Sequence, residues 1–89
     1  MSHYRIRILD TAADELAKLD EPVARRIVIR IRWLAEHLDS IRPIALTGDL
    51  AGLYKLQVGD CRILYEVLSV ERVLVIHLIG RRRQIYQKR

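Results

Sequence analysis

The sequence predicts an α+β domain in the order β-α-α-β-β-β, with a helical hairpin packed on one face of a small antiparallel sheet. Three observations carry that prediction. The chain opens with an alternating basic and apolar run, "YRIRIL"; helical spacing then dominates residues 11–38; and three strand-like runs follow in quick succession from residue 53.

The elements follow in order. In residues 4–9, Ile6 and Ile8 face one way and Arg5 and Arg7 the other, which is the period of a half-buried strand. Asp10 or Thr11 resembles a helix N-cap, so "TAADELAKLD" is expected to form a short helix. Pro22 suits the first turn of a second helix from about Glu21 to His37, because the amide it lacks has no intrahelical partner there. Ala24, Ile27, Val28, Ile31, Leu34, Ala35 and Leu38 share one face of that helix, the predicted core stripe. Ile29 and Trp33 sit one turn apart on the other face, among Arg25, Arg26, Arg30, Glu36 and His37. Two readings of that pair stay open: the first helix covers it, or it is a partner-binding patch in basic surroundings.

Pro43 and Gly48 mark a connecting loop, "SIRPIALTGDLAG". The run "LYKLQV" then leads through Gly59-Asp60 into "CRILYEVL", and "RVLVIHLI" follows a short turn at residues 69–71. Glycine at the first central position of a two-residue loop fits a type II′ hairpin. Taken literally, that turn pairs Val58 with Cys61, Gln57 with Arg62 and Lys55 with Leu64. Tyr54, Leu56, Val58, Cys61, Ile63 and Tyr65 then share a face apolar enough to lie under the helices. Lys55, Gln57, Arg62, Leu64 and Glu66 share the open one. The last strand is expected to stop at Gly80, whose freedom allows a sharp exit, so that Arg81–Arg83 of the basic segment "RRRQIYQKR" can turn back over the open face.

A chain of 89 residues is expected to form a single domain, 1–89, with a modest core. One cysteine, Cys61, leaves no partner for an internal disulfide, which fits a reducing cytoplasm. The apolar runs fall far short of the roughly 20 residues of a membrane span, and the opening is not a secretory leader. Histidines at positions 3, 37 and 77 lie far apart without an acidic pair, so neither a metal nor a cofactor is expected. The net charge of +5, carried mostly by arginine, favours an anionic partner, and arginine's planar fork suits phosphate. Lys55 and Arg62 are diagonal neighbours on the open face. Two adjacent cations repel unless an anion joins them, so the pair suggests a phosphate site. His77 can act as a base there only if it shares that face; otherwise it is a structural strand histidine.

The hairpin "LYKLQVGDCRILYEV", followed by "VLVIHLIGRRRQIYQ", resembles the C-terminal half of the RelE branch of the RelE/ParE toxin superfamily. The preceding strand and helical hairpin resemble its N-terminal half. The resemblance implies a RelE-like fold with a short basic C-terminal segment. It implies a type II toxin: a ribosome-dependent, metal-independent endoribonuclease that cleaves mRNA in the ribosomal A site and is held in check by a cognate antitoxin. DNA would be met only through the antitoxin complex. Position by position, it makes Lys55 and Arg62 phosphate-binding, transition-state-stabilising cations. Arg82 (or Arg83) becomes the arginine at the scissile phosphate or leaving group. Tyr86 becomes the residue that stacks on a base or accepts a proton. Arg81, Arg83 and Gln57 complete the RNA-binding set, while Ile29 and Trp33 are candidates for antitoxin contact. Gln57 stands where some members carry a second lysine, and Arg81 where this branch often has histidine. Two other readings share the fold: a ParE-like toxin that poisons DNA gyrase, and an inactive module that only binds its antitoxin.

Overall fold

The computed structural model describes residues 3–81. In chain order these form β1 (Arg5–Ile8), α1 (Asp10–Ala17), α2 (Glu21–His37), β2 (Ile44–Ala45), β3 (Tyr54–Val58), β4 (Cys61–Leu68) and β5 (Val73–Arg81). The strands make one sheet in the order β1-β5-β4-β3-β2. This is the predicted α+β architecture, with two differences in the sheet. β1 runs parallel to β5, so the sheet is mixed and only its other pairings are antiparallel. Ile44 and Ala45, expected in a loop, add a short edge strand to β3.

Local chemistry accounts for the helices. α2 has the predicted bounds, with Pro22 in its first turn and Glu21 beside the positive end of the helix dipole. α1 begins one residue earlier than Thr11: Leu9 occupies the capping position in extended backbone, and Asp10 opens the helix as its acidic first residue. It ends at Ala17, short of the expected Asp20, where Lys18 and Leu19 tighten the last turn with bonds to the carbonyls of Glu15 and Leu16.

The core lies between the helices and one face of the sheet. Ile27, Ile31 and Leu34 of α2 are buried against a layer that includes Ile63, Tyr65, Leu74 and Ile76. Of the predicted stripe, Ala24 and Val28 at its margin are half-buried. Ala12 is fully buried; its small side chain lets α1 sit close over β5. The register Ile6↔Leu74 and Ile8↔Ile76 places the isoleucines of β1 on the helix side and Arg5 and Arg7 on the other. At the far end, the Arg72 guanidinium lies 4.1 Å from the centre of the Tyr4 ring and 3.2 Å from Asp39, tying the start of β5 to the N-terminus and the end of α2. No helix among the described residues is long and apolar enough to cross a membrane.

The hairpin turn is as expected. Gly59 has φ +58, while no residue among Asp60 and its neighbours shares a positive φ, the pattern of a type II′ turn. A side chain at Gly59 would meet only ordinary contact, 3.8 Å from Arg26, so the conformation alone demands glycine. Gly59→Ala should therefore cost about 1–2 kcal/mol in urea melts. An unchanged midpoint would show that the turn relaxes freely to another type.

Burial pushes the Tyr65 phenol up from 10.0 to about 12, with the nearby Tyr54 adding to the shift. The unfolded chain thus releases this proton first. The stability is whole below pH 10.0 and drains away as pH rises toward about 12. Tyr65→Phe should lose less stability than the parent over that interval, by up to ~2–3 kcal/mol in urea melts. Equal losses would exclude this phenol as the alkaline weak point.

Candidate functional site

The sheet face turned away from the helices is built by β-alternation. From β3 it receives Lys55 and Gln57, from β4 Arg62, Leu64 and Glu66, and from β1 Arg5 and Arg7, brought in by the parallel pairing with β5. The hairpin register matches the predicted one at every pair from Tyr54↔Tyr65 to Val58↔Cys61. Lys55 therefore stands opposite Leu64 and diagonal to Arg62, about 7–8 Å apart at the backbone. Leu64 is fully buried and Val75 nearly so, which gives the charged groups an apolar floor. Charges above such a floor interact more strongly than in open water.

Arg62 is half-buried, with its Nε out of contact with solvent. Its register neighbour on β5 is Gly80, which has no side chain to compete for the space. Gly80 was expected to end the strand; instead β5 runs through it to Arg81, because Cys61 and Arg62 continue the ladder. Gln57 turns its side-chain amide back to donate to the Gly59 carbonyl, so it braces the turn.

Arg81 differs from the expectation that it joins this face. Its register partner is Cys61, and alternation sends it to the helix side. There it lines a hollow of about 110 Å³ with Val23, Arg26, Val58, Asp60 and Cys61. Arg82, Arg83 and Tyr86 lie outside the described residues.

Sequence reasoning left two groups unplaced. The first is Arg5 and Arg7, whose membership of the Lys55 face depends on the β1–β5 pairing. The second is His77. It has no register partner, because Leu64 pairs with Leu78 while Tyr65 pairs with Ile76. This bulge turns the imidazole onto the open face, where Nε2 lies 2.9 Å from Glu66 Oε1. No group of three or more metal-ligating side chains occurs among the described residues.

On α2, the first helix does not cover the second candidate surface. Ile29 is 58% exposed and Trp33 37%. Contacts within the helix hold the indole: His37 stacks on it with ring centres 4.3 Å apart and 13° between planes, and the Arg30 guanidinium lies 4.9 Å from its centre. The His37 ring itself is held by a 2.7 Å hydrogen bond between Nδ1 and the Trp33 carbonyl.

The architecture has close counterparts. The toxin–antitoxin complex RelBE2 of Mycobacterium tuberculosis contains a chain that superposes with a TM-score of 0.76 at 24% identity, over 90% of this chain and 99% of that one. A chain of the archaeal RelE–RelB complex of Pyrococcus horikoshii gives 0.72 at 26% identity, covering 92% and 97%. A mutant of Escherichia coli RelE in the free state gives 0.77 at 20% identity, covering 94% and 90%. No curated protein sequence matches the chain. The model of the ParE toxin of the type II toxin–antitoxin system parDE matches residues 6–86. With a match spanning nearly its whole length and the RelE architecture around it, the chain belongs to the ParE toxin family of type II toxin–antitoxin systems, within the RelE/ParE superfamily.

Proposed function

We propose that this toxin is a ribosome-dependent, metal-independent endoribonuclease that cleaves mRNA in the A site and that a cognate antitoxin restrains it. The observation that supports this most is the diagonal pair Lys55 and Arg62, set above a buried leucine on the open face of the sheet. Two cations on adjacent strands can direct several donors at one anion, and a phosphodiester is an anion such a pair can hold. In the reaction the 2′-oxygen attacks the adjacent phosphorus and the 5′-oxygen departs. Lys55 and Arg62 neutralise the charge that builds on the non-bridging oxygens. Arg82, with Arg83 as its alternative, serves the scissile phosphate or the leaving group, and Tyr86 stacks on a base or takes a proton. Arg5 and Arg7 extend the positive face along which the message lies. This activity belongs to the cytoplasm, where translating ribosomes are.

The antitoxin reading is supported by the RelB-bound relatives and by the uncovered α2 surface. An amphipathic segment, acidic overall, would lay apolar residues on Ile29 and Trp33 and be drawn by the surrounding arginines. DNA then comes into play only through that complex. The ParE description of the matching family supports a second reading, gyrase poisoning, and an inactive antitoxin-binding module is the third.

The deciding experiment is induced expression without antitoxin, with messenger ends mapped by primer extension. Wild type should cut translated messages only. Lys55→Ala and Arg62→Ala should each slow cleavage by about 10²–10³-fold while melting like the parent. Growth arrest without cuts, together with inhibited supercoiling by purified protein, would establish gyrase as the target. No arrest at all would leave the binding module.

Trp33→Ala combined with Ile29→Asp should weaken antitoxin capture by at least ~10-fold in titration calorimetry, with melting unchanged within ~0.5 kcal/mol. Full affinity in that variant would move the antitoxin elsewhere on the toxin.

A further inference from the structure

Resting on the ribonuclease reading, we propose that His77 is the general base of the open face, removing the proton from the attacking 2′-hydroxyl, and that Glu66 is its positioning residue.

The bulge is the first observation. Counting back from Ile79, which packs in the core opposite Ile63, strict alternation would put His77 on the helix side and Ile76 outside. The extra residue reverses both, burying Ile76 and bringing the imidazole out to the charged face. Bulges re-aim side chains in this way beside active sites.

The hydrogen bond is the second. A carboxylate only accepts, so Glu66 Oε1, 2.9 Å away, fixes the proton on Nε2. That leaves the lone pair on Nδ1, the arrangement of a base held in one tautomer by a third group. The pair is not sealed in the core: its side chains are 30% and 39% exposed. Placement is the third. Leu64, the neighbour of the bulge on β4, is also the register partner of Lys55 and two residues from Arg62. The base and both phosphate cations thus surround one buried leucine. The charged groups sharing this face are Arg5 and Arg7 of β1, Arg62 and Glu66 of β4 and Lys55 of β3; α1 packs on β5 through Ala12 from the other side.

The step balances as follows. Neutral His77 takes the 2′-hydroxyl proton on Nδ1. The 2′-oxygen forms a bond to phosphorus, the bond from phosphorus to the 5′-oxygen breaks, and that oxygen leaves with a proton from a cationic donor or water. The products are a 2′,3′-cyclic phosphate and a 5′-hydroxyl, and the imidazolium paired with Glu66 then returns its proton to solvent. Tyr86 keeps the stacking role.

Single-turnover cleavage of a message on programmed ribosomes, from about pH 5.5 to 8.5, tests this, because a general base must be unprotonated to act. The wild-type rate should fall about tenfold per pH unit on the acid side, because protonated His77 cannot accept. His77→Gln should lose about 10²–10⁴ in rate and that acid limb with it. His77→Ala should regain rate with added imidazole. Glu66→Gln, whose amide can turn an N–H toward the ring in place of an acceptor, should slow cleavage while keeping the acid limb. Thermal melts and message crosslinking identify any variant that has lost its fold or its substrate. If His77→Gln cuts with the wild-type rate and profile, or folded His77→Ala is slow and unresponsive to imidazole, the assignment is overturned while the nuclease stands. If the wild type leaves the message whole, the nuclease reading fails and the base assignment falls with it.

Discussion

The β4–β5 ladder is the constraint on which the rest of this molecule depends. It is the longest pairing in the sheet, and it carries the residues against which α2 buries Ile27, Ile31 and Leu34. Because side chains alternate about each strand, burying Ile63, Tyr65, Leu74 and Ile76 under the helix obliges Arg62, Leu64 and Glu66 to face the other way. The candidate site is the reverse side of the hydrophobic core. A slip of one residue would empty the core and dismantle the site together, so the apolar transfer energy of the core also secures the positions of the cations.

That face carries its charge in two groups. Lys55 and Arg62 stand diagonally on β3 and β4, Arg5 and Arg7 lie on β1 beyond β5, and Glu66 is engaged by His77. Like charges held on neighbouring strands oppose folding, and an anion between them would offset that. The buried leucine at the centre sharpens both effects, because water cannot screen charges from below.

The α2 surface obeys different physics. Trp33 is held by its own helix neighbours, Arg30 one turn before and His37 one turn after, so its rotamer is already restricted. A side chain ordered in advance loses less entropy on docking. The helix is basic around this aromatic, whereas its inner stripe is aliphatic. One helix thus carries an aliphatic core stripe and an exposed aromatic patch on separate faces.

The sequence by itself determined every element that has strong local periodicity or a distinctive turn. The bounds of α2 follow from Pro22 and its apolar stripe, and the β3–β4 register follows from Gly59. Through that register the adjacency of Lys55 and Arg62 was legible too. It could not determine what rests on contacts distant in the chain. The parallel seating of β1 on β5 joins residues nearly seventy positions apart. A two-residue strand such as Ile44–Ala45 has no period to detect. The passage of β5 through Gly80 depends on the facing residues of β4. The bulge at His77 has the same cause: no local propensity calls for an unpaired residue there. Only the packing of Ile76 on one side of it and Ile79 on the other decides that the imidazole must face out.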